Sequence, residues 1–257
     1  MVVDWADANV KNLFQLWQAM GADSRVRPDG SELFRSRGWP HRCWVMGATA
    51  LPVSAAELPL NPDTLYPQLP ETIHGHAMAP VIDALGMSEV FAQTAMVWRR
   101  NCWPVNALVQ SERPLTLITP KGEDQVNTWV EVAALAFGYG IDNSIFHNLA
   151  RHASAQLVLA CAGERAVATA LLFRTGKELG LHQFGVLPEA QGNGYASQLL
   201  QALLQPAFLR DCEAVTLQAS VAGFPLYQKQ GFESQFGIRN FRRGLPSDQG
   251  LSVAHKL

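Results

Sequence analysis

Residues 186–196 read VLPEAQGNGYA. Two glycines, Gly192 and Gly194, fall where an apolar stretch, 179–187, passes into an amphipathic one, 196–208. A turn from strand into helix presents backbone N–H groups without internal partners, and the helix dipole adds positive potential there. Glycine lets an anion approach without a Cβ in the way. The chemistry this suits is the holding of a phosphate. A P-loop needs Lys and then Ser or Thr after its last glycine, but Tyr195 and Ala196 follow Gly194. The dinucleotide fingerprint needs three spaced glycines and a downstream acid, and this turn has two glycines. No metal is expected. His147 and His152 lack ligand pairing, and Cys43, Cys102, Cys161 and Cys212 lie far apart.

What fits is Gln-x-x-Gly-x-Ala on Gln191, Gly194 and Ala196, preceded by Val-x-Pro on Val186 and Pro188. This resembles the acetyl-CoA pyrophosphate loop of the GNAT superfamily of N-acetyltransferases. A second stretch, 215–232, reads VTLQASVAGFPLYQKQGF: a short strand, a turn and a short helix ending in Gly-Phe. It is similar to the family's Leu-Tyr-x-x-x-Gly-Phe signature, with Tyr227, Gly231 and Phe232 in place. The resemblance covers about 124–243. It implies a splayed mixed sheet flanked by helices, whose fourth and fifth strands part to admit the pantetheine arm. It also implies acetyl-CoA as the acyl donor and a primary amine, on a small molecule or a peptide, as the acceptor.

The same resemblance implies roles. Gln191, Gly192, Asn193, Gly194, Tyr195 and Ala196 would hold the pyrophosphate. Many members carry Arg where Gln191 stands, so affinity here would lean on backbone and dipole. Phe184, Gly185 and Val186 would pair with the pantetheine amides as one strand pairs with another, and the Val186 N–H would face the thioester oxygen. Tyr227 would protonate the departing thiolate; the alternative is a packed core aromatic. His182 is the candidate general base, with Glu178 beside it and water as the alternative. A strictly alternating strand would put His182, Phe184 and Val186 on one face. In the 138–143 loop Asp142 either holds a cationic amine or caps a helix. A different class of reading is an inactive acyl-CoA-binding sensor or structural protein. A larger donor such as succinyl-CoA is a third.

The elements that must position these residues follow from pattern. Helices are expected over 9–20, 31–37, 79–85, 125–137, 144–152, 194–208 and 223–230, with Pro206 kinking or ending the sixth. Strands are expected over 41–50, 92–98, 156–162, 167–174, from 179, and over 214–219 and 235–243. Residues 25–30 read as a turn and 51–75, with five prolines, as irregular. Alternating strands and helices imply an α/β fold with a mixed sheet covered on both faces. The division expected is a smaller α/β domain over 1–113 and a GNAT-like catalytic domain over 114–257.

The first half has no phosphate-loop signature but echoes the second. Residues 80–87 parallel 225–232 at an offset of 145, Phe91 and Phe236 keep it, and 41–48 match 156–163 at 115. The first half therefore reads as a degenerate copy that lost about 30 residues of cofactor-binding core, unless the match is chance. Ile82 stands where Tyr227 stands, and one acetyl-CoA is expected per chain. Residues 114–257 alone are expected to bind weakly or aggregate, because Leu13, Phe14, Trp17 and Trp44 need a partner surface.

Composition sets the remaining bounds. The 257 residues are 48% hydrophobic and 16% charged, ample for packed cores. A net charge of −2 without basic runs argues against nucleic acid. No apolar run reaches the roughly 18 residues of a membrane span. Widely separated cysteines and a start without a signal-peptide pattern suit reduced thiols in the cytoplasm.

Overall fold

A computed structural model describes residues 3–47, 51–70, 73, 77–100 and 114–244. Val10, Leu13, Phe14 and Trp17 recur at helical spacing, and the helix α1 (Trp5–Ala19) buries them. Asp4 caps it by accepting from the Ala6 N–H at 2.9 Å, and Gly21, at φ 96°, turns the chain out of it. Three short antiparallel strands follow: β1 (Ala22–Val26), β2 (Glu32–Ser36) and β3 (Cys43–Met46). The helix expected over 31–37 is therefore a strand, and the start of the expected turn at 25–30 belongs to β1. Leu33 and Phe34 are both buried in a ladder with β1 and β3, so pairing and burial override the local pattern. Phe14, Trp17 and Phe34 pack their rings on Trp44 at 5.1–5.3 Å.

The chain continues through β4 (Leu65–Gln68), α2 (Ala79–Ala84), β5 (Ser88–Arg99), β6 (Leu115–Ile118), α3 (Gly122–Phe137), α4 (Asn143–Leu149), β7 (Ala155–Ala162), β8 (Arg165–Thr175) and β9 (Glu178–Val186). It ends through α5 (Tyr195–Leu203), β10 (Ala214–Ala219), α6 (Phe224–Lys229) and β11 (Glu233–Arg242). α5 stops short of Pro206. Strand β4 lies inside the segment expected to be irregular; its pairing with β11 supplies the order that its prolines hide. The hairpin β7–β8 carries α3 on it, anchored by the Trp129 indole, which donates to the Val158 carbonyl at 2.9 Å.

The large sheet has eight strands among the described residues, in the order β4-β11-β5-β10-β9-β8-β7-β6. Strand β5, from before residue 113, lies between β10 and β11, from after it. A fragment starting at 114 would lose the strand that joins its own last two.

The β5–β11 ladder also exposes a symmetry. Thr94 pairs with Gly237 and Ala92 with Arg239, and 237 − 92 and 239 − 94 both equal 145. An offset of 145 thus exchanges each pair for the other, as a two-fold axis through the ladder requires. On one side β10 pairs with β5 and runs parallel to β9; on the other, β4 pairs with β11 and bridges in parallel to Arg42, just before β3. By sheet order β1, β2 and β3 correspond to β7, β8 and β9. The sequence match of 41–48 to 156–163 is thus displaced by two strands, and the inferred 30-residue loss with it. The first half instead lacks a counterpart of α5: between β3 and β4 the described residues form one 3-10 turn, Ala55–Glu57. Ile82, buried on α2, has no hydroxyl to offer where α6 carries Tyr227.

Candidate active site

Strands β9 and β10 pair in parallel from Ala214–Glu178 to Thr216–Gly180 and then part. Residues 181–186 of β9 have no strand on that side among the described residues, an open edge of roughly 20 Å at strand rise. The ladder with β8 fixes where their backbone groups point. The Leu187 N–H donates to the Val167 carbonyl at 2.9 Å, so the next pair, Val186 with Ala168, turns its N–H and C=O away from β8. The Val186 N–H faces the open edge. By the same alternation Gly185 pairs toward β8, so its backbone does not face the gap, against expectation. A Cβ at Gly185 would lie 2.9 Å from that of Ala136 and 3.1 Å from the Phe137 ring. Glycine there lets α3 seat against β9.

Between Thr169/Gly185 and Leu171/His182 the register slips by one residue, and Gln183 sits at φ 44°. This is a β-bulge. Paired residues share a face, so His182 and Gly185 lie on one face and Phe184 and Val186 on the other. The single face expected for His182, Phe184 and Val186 assumed alternation that the bulge breaks.

Beyond β9 the chain makes its glycine turn. Gly192 and Gly194 have φ of 78° and 76°, with open space where a Cβ would point. The N–H groups of Gly192, Gly194, Tyr195, Ala196 and Ser197 meet no backbone acceptor. Asn193 turns inward instead, its side chain donating to the carbonyls of Ala190 at 3.0 Å and Gln191 at 3.2 Å. The Gln191 side chain reaches back toward the Val186 carbonyl at 3.4 Å. Val186, residues 190–192 and residues 194–197 line a cavity of about 210 Å³. An anion fits this cradle through amides and the α5 terminus.

Tyr227 projects from α6 toward β9, its ring edge-on to Phe184 at 5.9 Å and to Phe232 at 5.7 Å. Burial raises its phenol above the ordinary value, so the hydroxyl keeps its proton at neutral pH. Asp142 caps α4, accepting from the Ser144 N–H at 2.9 Å, which is the second of its two expected roles.

His182 faces α1. Asn12 donates to the Phe173 carbonyl at 2.9 Å and to the Thr175 hydroxyl at 2.8 Å, so its side-chain oxygen is left to accept from His182 Nε2 at 2.9 Å. Burial presses the imidazole down to about 3, too weak a base to take a proton from an ammonium at neutral pH. Asn9, also fully buried, accepts from Gln218 Nε2 at 2.6 Å and donates to Gln235 at 2.7 Å and to the Met96 carbonyl at 3.1 Å. Neither asparagine was identified in the sequence. Their signal was two polar residues, three apart, on the apolar stripe of α1.

Glu178 completes this network, accepting from the Thr216 hydroxyl at 2.5 Å and the Thr175 hydroxyl at 3.3 Å. Burial pushes its carboxyl up to about 7. A carboxyl raised on folding stabilises fully below its unfolded value near 4.5, and that contribution is lost as pH rises through 7. The full span is roughly 3 kcal/mol. Glu178→Gln should therefore stabilise the protein at pH 8 and change little at pH 5, read from urea midpoints. An equal effect at both values would show that Glu178 does not titrate in this window.

Solved structures share this fold. A GCN5-related N-acetyltransferase from Kribbella flavida matches with a TM-score of 0.68 at 14% identity, over 95% of this chain and 97% of that one. One from Sphaerobacter thermophilus matches at 0.60 and 14%, over 94% and 90%. A GCN5-related N-acetyltransferase-like protein from Streptococcus suis 89/1591 matches at 0.59 and 14%, over 91% and 100%. At these identities the likeness establishes the fold, and it extends over both halves. No curated protein matches the chain. Residues 127–232 match the family model described as the Acetyltransferase (GNAT) family. Residues 127–232 carry a GNAT acetyltransferase domain, and the protein is an enzyme. Among the described residues no helix is long and apolar enough to cross a membrane, and no side-chain cluster could hold a metal.

Proposed function

We propose that the protein transfers an acetyl group from acetyl-CoA to a primary amine by direct attack, one acetyl-CoA per chain, in the cytoplasm. The observation that carries this reading is the continuity of two unpaired backbone runs. The open edge of β9 at 181–186 leads to the amides of Gly192, Gly194, Tyr195, Ala196 and Ser197. Gln191, Gly192, Gly194, Tyr195 and Ala196 would hold the pyrophosphate, with Asn193 bracing the turn, and Phe184 and Val186 would pair with the pantetheine arm. The amine nitrogen attacks the thioester carbon, and the Val186 N–H takes the charge that develops on its oxygen. The carbon–sulfur bond breaks, its electron pair goes to sulfur, and the Tyr227 hydroxyl supplies the proton. His182 is a positioning residue in this scheme, and the ammonium loses its proton to water. Three buried free thiols, Cys43, Cys161 and Cys212, suit a reducing compartment, and Cys102 lies outside the described residues.

Steady release of free thiol from acetyl-CoA across a panel of primary amines tests the reaction. Tyr227→Phe should lower kcat by roughly 10²-fold with acetyl-CoA affinity nearly intact. An unchanged kcat, with chemistry rate-limiting, reduces Tyr227 to packing. Tight binding without turnover of any amine makes the protein an acyl-CoA-binding sensor instead.

A further inference from the structure

Arg42 comes from the first half, just before β3. Its guanidinium lies over the Trp17 ring at 5.3 Å and the Phe91 ring at 5.7 Å. One Nη1 contact reaches Asn240 Oδ1 at 3.4 Å. Its Nε is buried with no hydrogen-bond partner. No carboxylate of the described residues lies within ion-pair distance of it. Desolvation lowers its pKa to about 10, and the group that opposes this is the Tyr139 phenol. An arginine withdrawn from water without an anion is costly, and the described residues supply none.

A second orphan stands nearby. Gln183, at the bulge, gives its backbone carbonyl to the Thr169 hydroxyl at 3.1 Å, but its side-chain Oε1 is buried without a donor. The Tyr139 phenol lies close enough to the Gln183 side chain and to Arg42 to feel both. Tyr139 thus ties the two orphans into one cluster, and at 40% exposure it keeps the cluster open to solvent. Gln183 lies within the open edge of β9, next to Phe184.

We infer that Arg42 and Gln183 form the acceptor subsite, and that the acceptor is a small molecule carrying a carboxylate a few bonds from its primary amine. The planar guanidinium takes the carboxylate as a two-toothed pair, and Gln183 Oε1 accepts an N–H of the amine. Each half supplies one of the two contacts, which gives the first half a direct part in substrate choice. This inference rests on the acetyl-transfer reading of the same site.

The test uses the full chain and matched acceptors: glycine against methylamine, β-alanine against propylamine, 4-aminobutyrate against butylamine. The carboxylates should be preferred by about 10²-fold in kcat/KM, the scale of one or two charge-assisted hydrogen bonds. In Arg42→Gln that preference should fall toward one, chiefly through KM, with acetyl-CoA affinity unchanged. Arg42→Lys should recover part of it. Thermal stability of Arg42→Gln should hold or rise, since an uncompensated charge is removed. Equal use of both members of each pair, or a preference unaltered by Arg42→Gln, overturns the inference and leaves the acetyl-transfer reading standing. If no acceptor turns over, calorimetry with N-acetylglycine and N-acetyl-β-alanine in the presence of CoA decides. Binding lost in Arg42→Gln supports the subsite, and binding absent in the wild type overturns it. Failure to bind acetyl-CoA overturns both readings together.

Discussion

Replacing Gly194 by Asp should weaken acetyl-CoA binding by roughly 10³-fold in a protein that still folds. Two effects combine. Gly194 sits at φ 76°, where a Cβ costs about 1–2 kcal/mol. Open space surrounds the position, so the substitution meets no atom of the protein itself. Most of the loss is therefore electrostatic: a carboxylate at the N-terminus of α5 occupies the potential that a pyrophosphate needs and repels it at close range. Gly194→Ala imposes the backbone strain without the charge and should lose only about 10-fold. Titration calorimetry reads both, and unchanged affinity for Gly194→Asp would remove the pyrophosphate from this turn.

Gly180→Ala should cost roughly 2–4 kcal/mol of stability, although one methyl is added on a strand. That methyl would overlap the Asn12 side-chain oxygen and the His182 ring, and would come within 2.7 Å of Asn12 Cγ. Asn12 cannot move aside freely, because it is fully buried and bonded to Phe173, Thr175 and His182. Overpacking and broken buried hydrogen bonds each contribute on the order of 1–3 kcal/mol. Asn12→Ala in the same chain should relieve the overlap, so the double variant should be more stable than the sum of the singles predicts. Strict additivity in chemical denaturation would mean that α1 does not seat on β9 through this contact.

The glycine turn after β9 was legible in the sequence because its physics is local. Gly192, Gly194 and the start of α5 expose their amides within one short stretch, whatever the rest of the chain does. The same holds for the α6 helix that carries Tyr227 and for the 145-residue echo, since each is a short run with its own turn chemistry and period.

The tertiary structure alone decided what depends on partners far along the chain. No local pattern says that β5 should lie between β10 and β11, because a half-buried strand reads alike wherever it pairs. The bulge at Gln183 exists because β8 fixes two registers that differ by one residue, and that slip separates His182 from Phe184 and Val186. A polar residue on an apolar stripe, as Asn12 is on α1, acquires its role only when a strand 170 positions away brings His182 to it. Arg42 looks like any strand-edge arginine in the sequence. Only the fold lays its guanidinium over Trp17 and Phe91, with no carboxylate of the described residues at ion-pair distance, and local sequence cannot measure that burial.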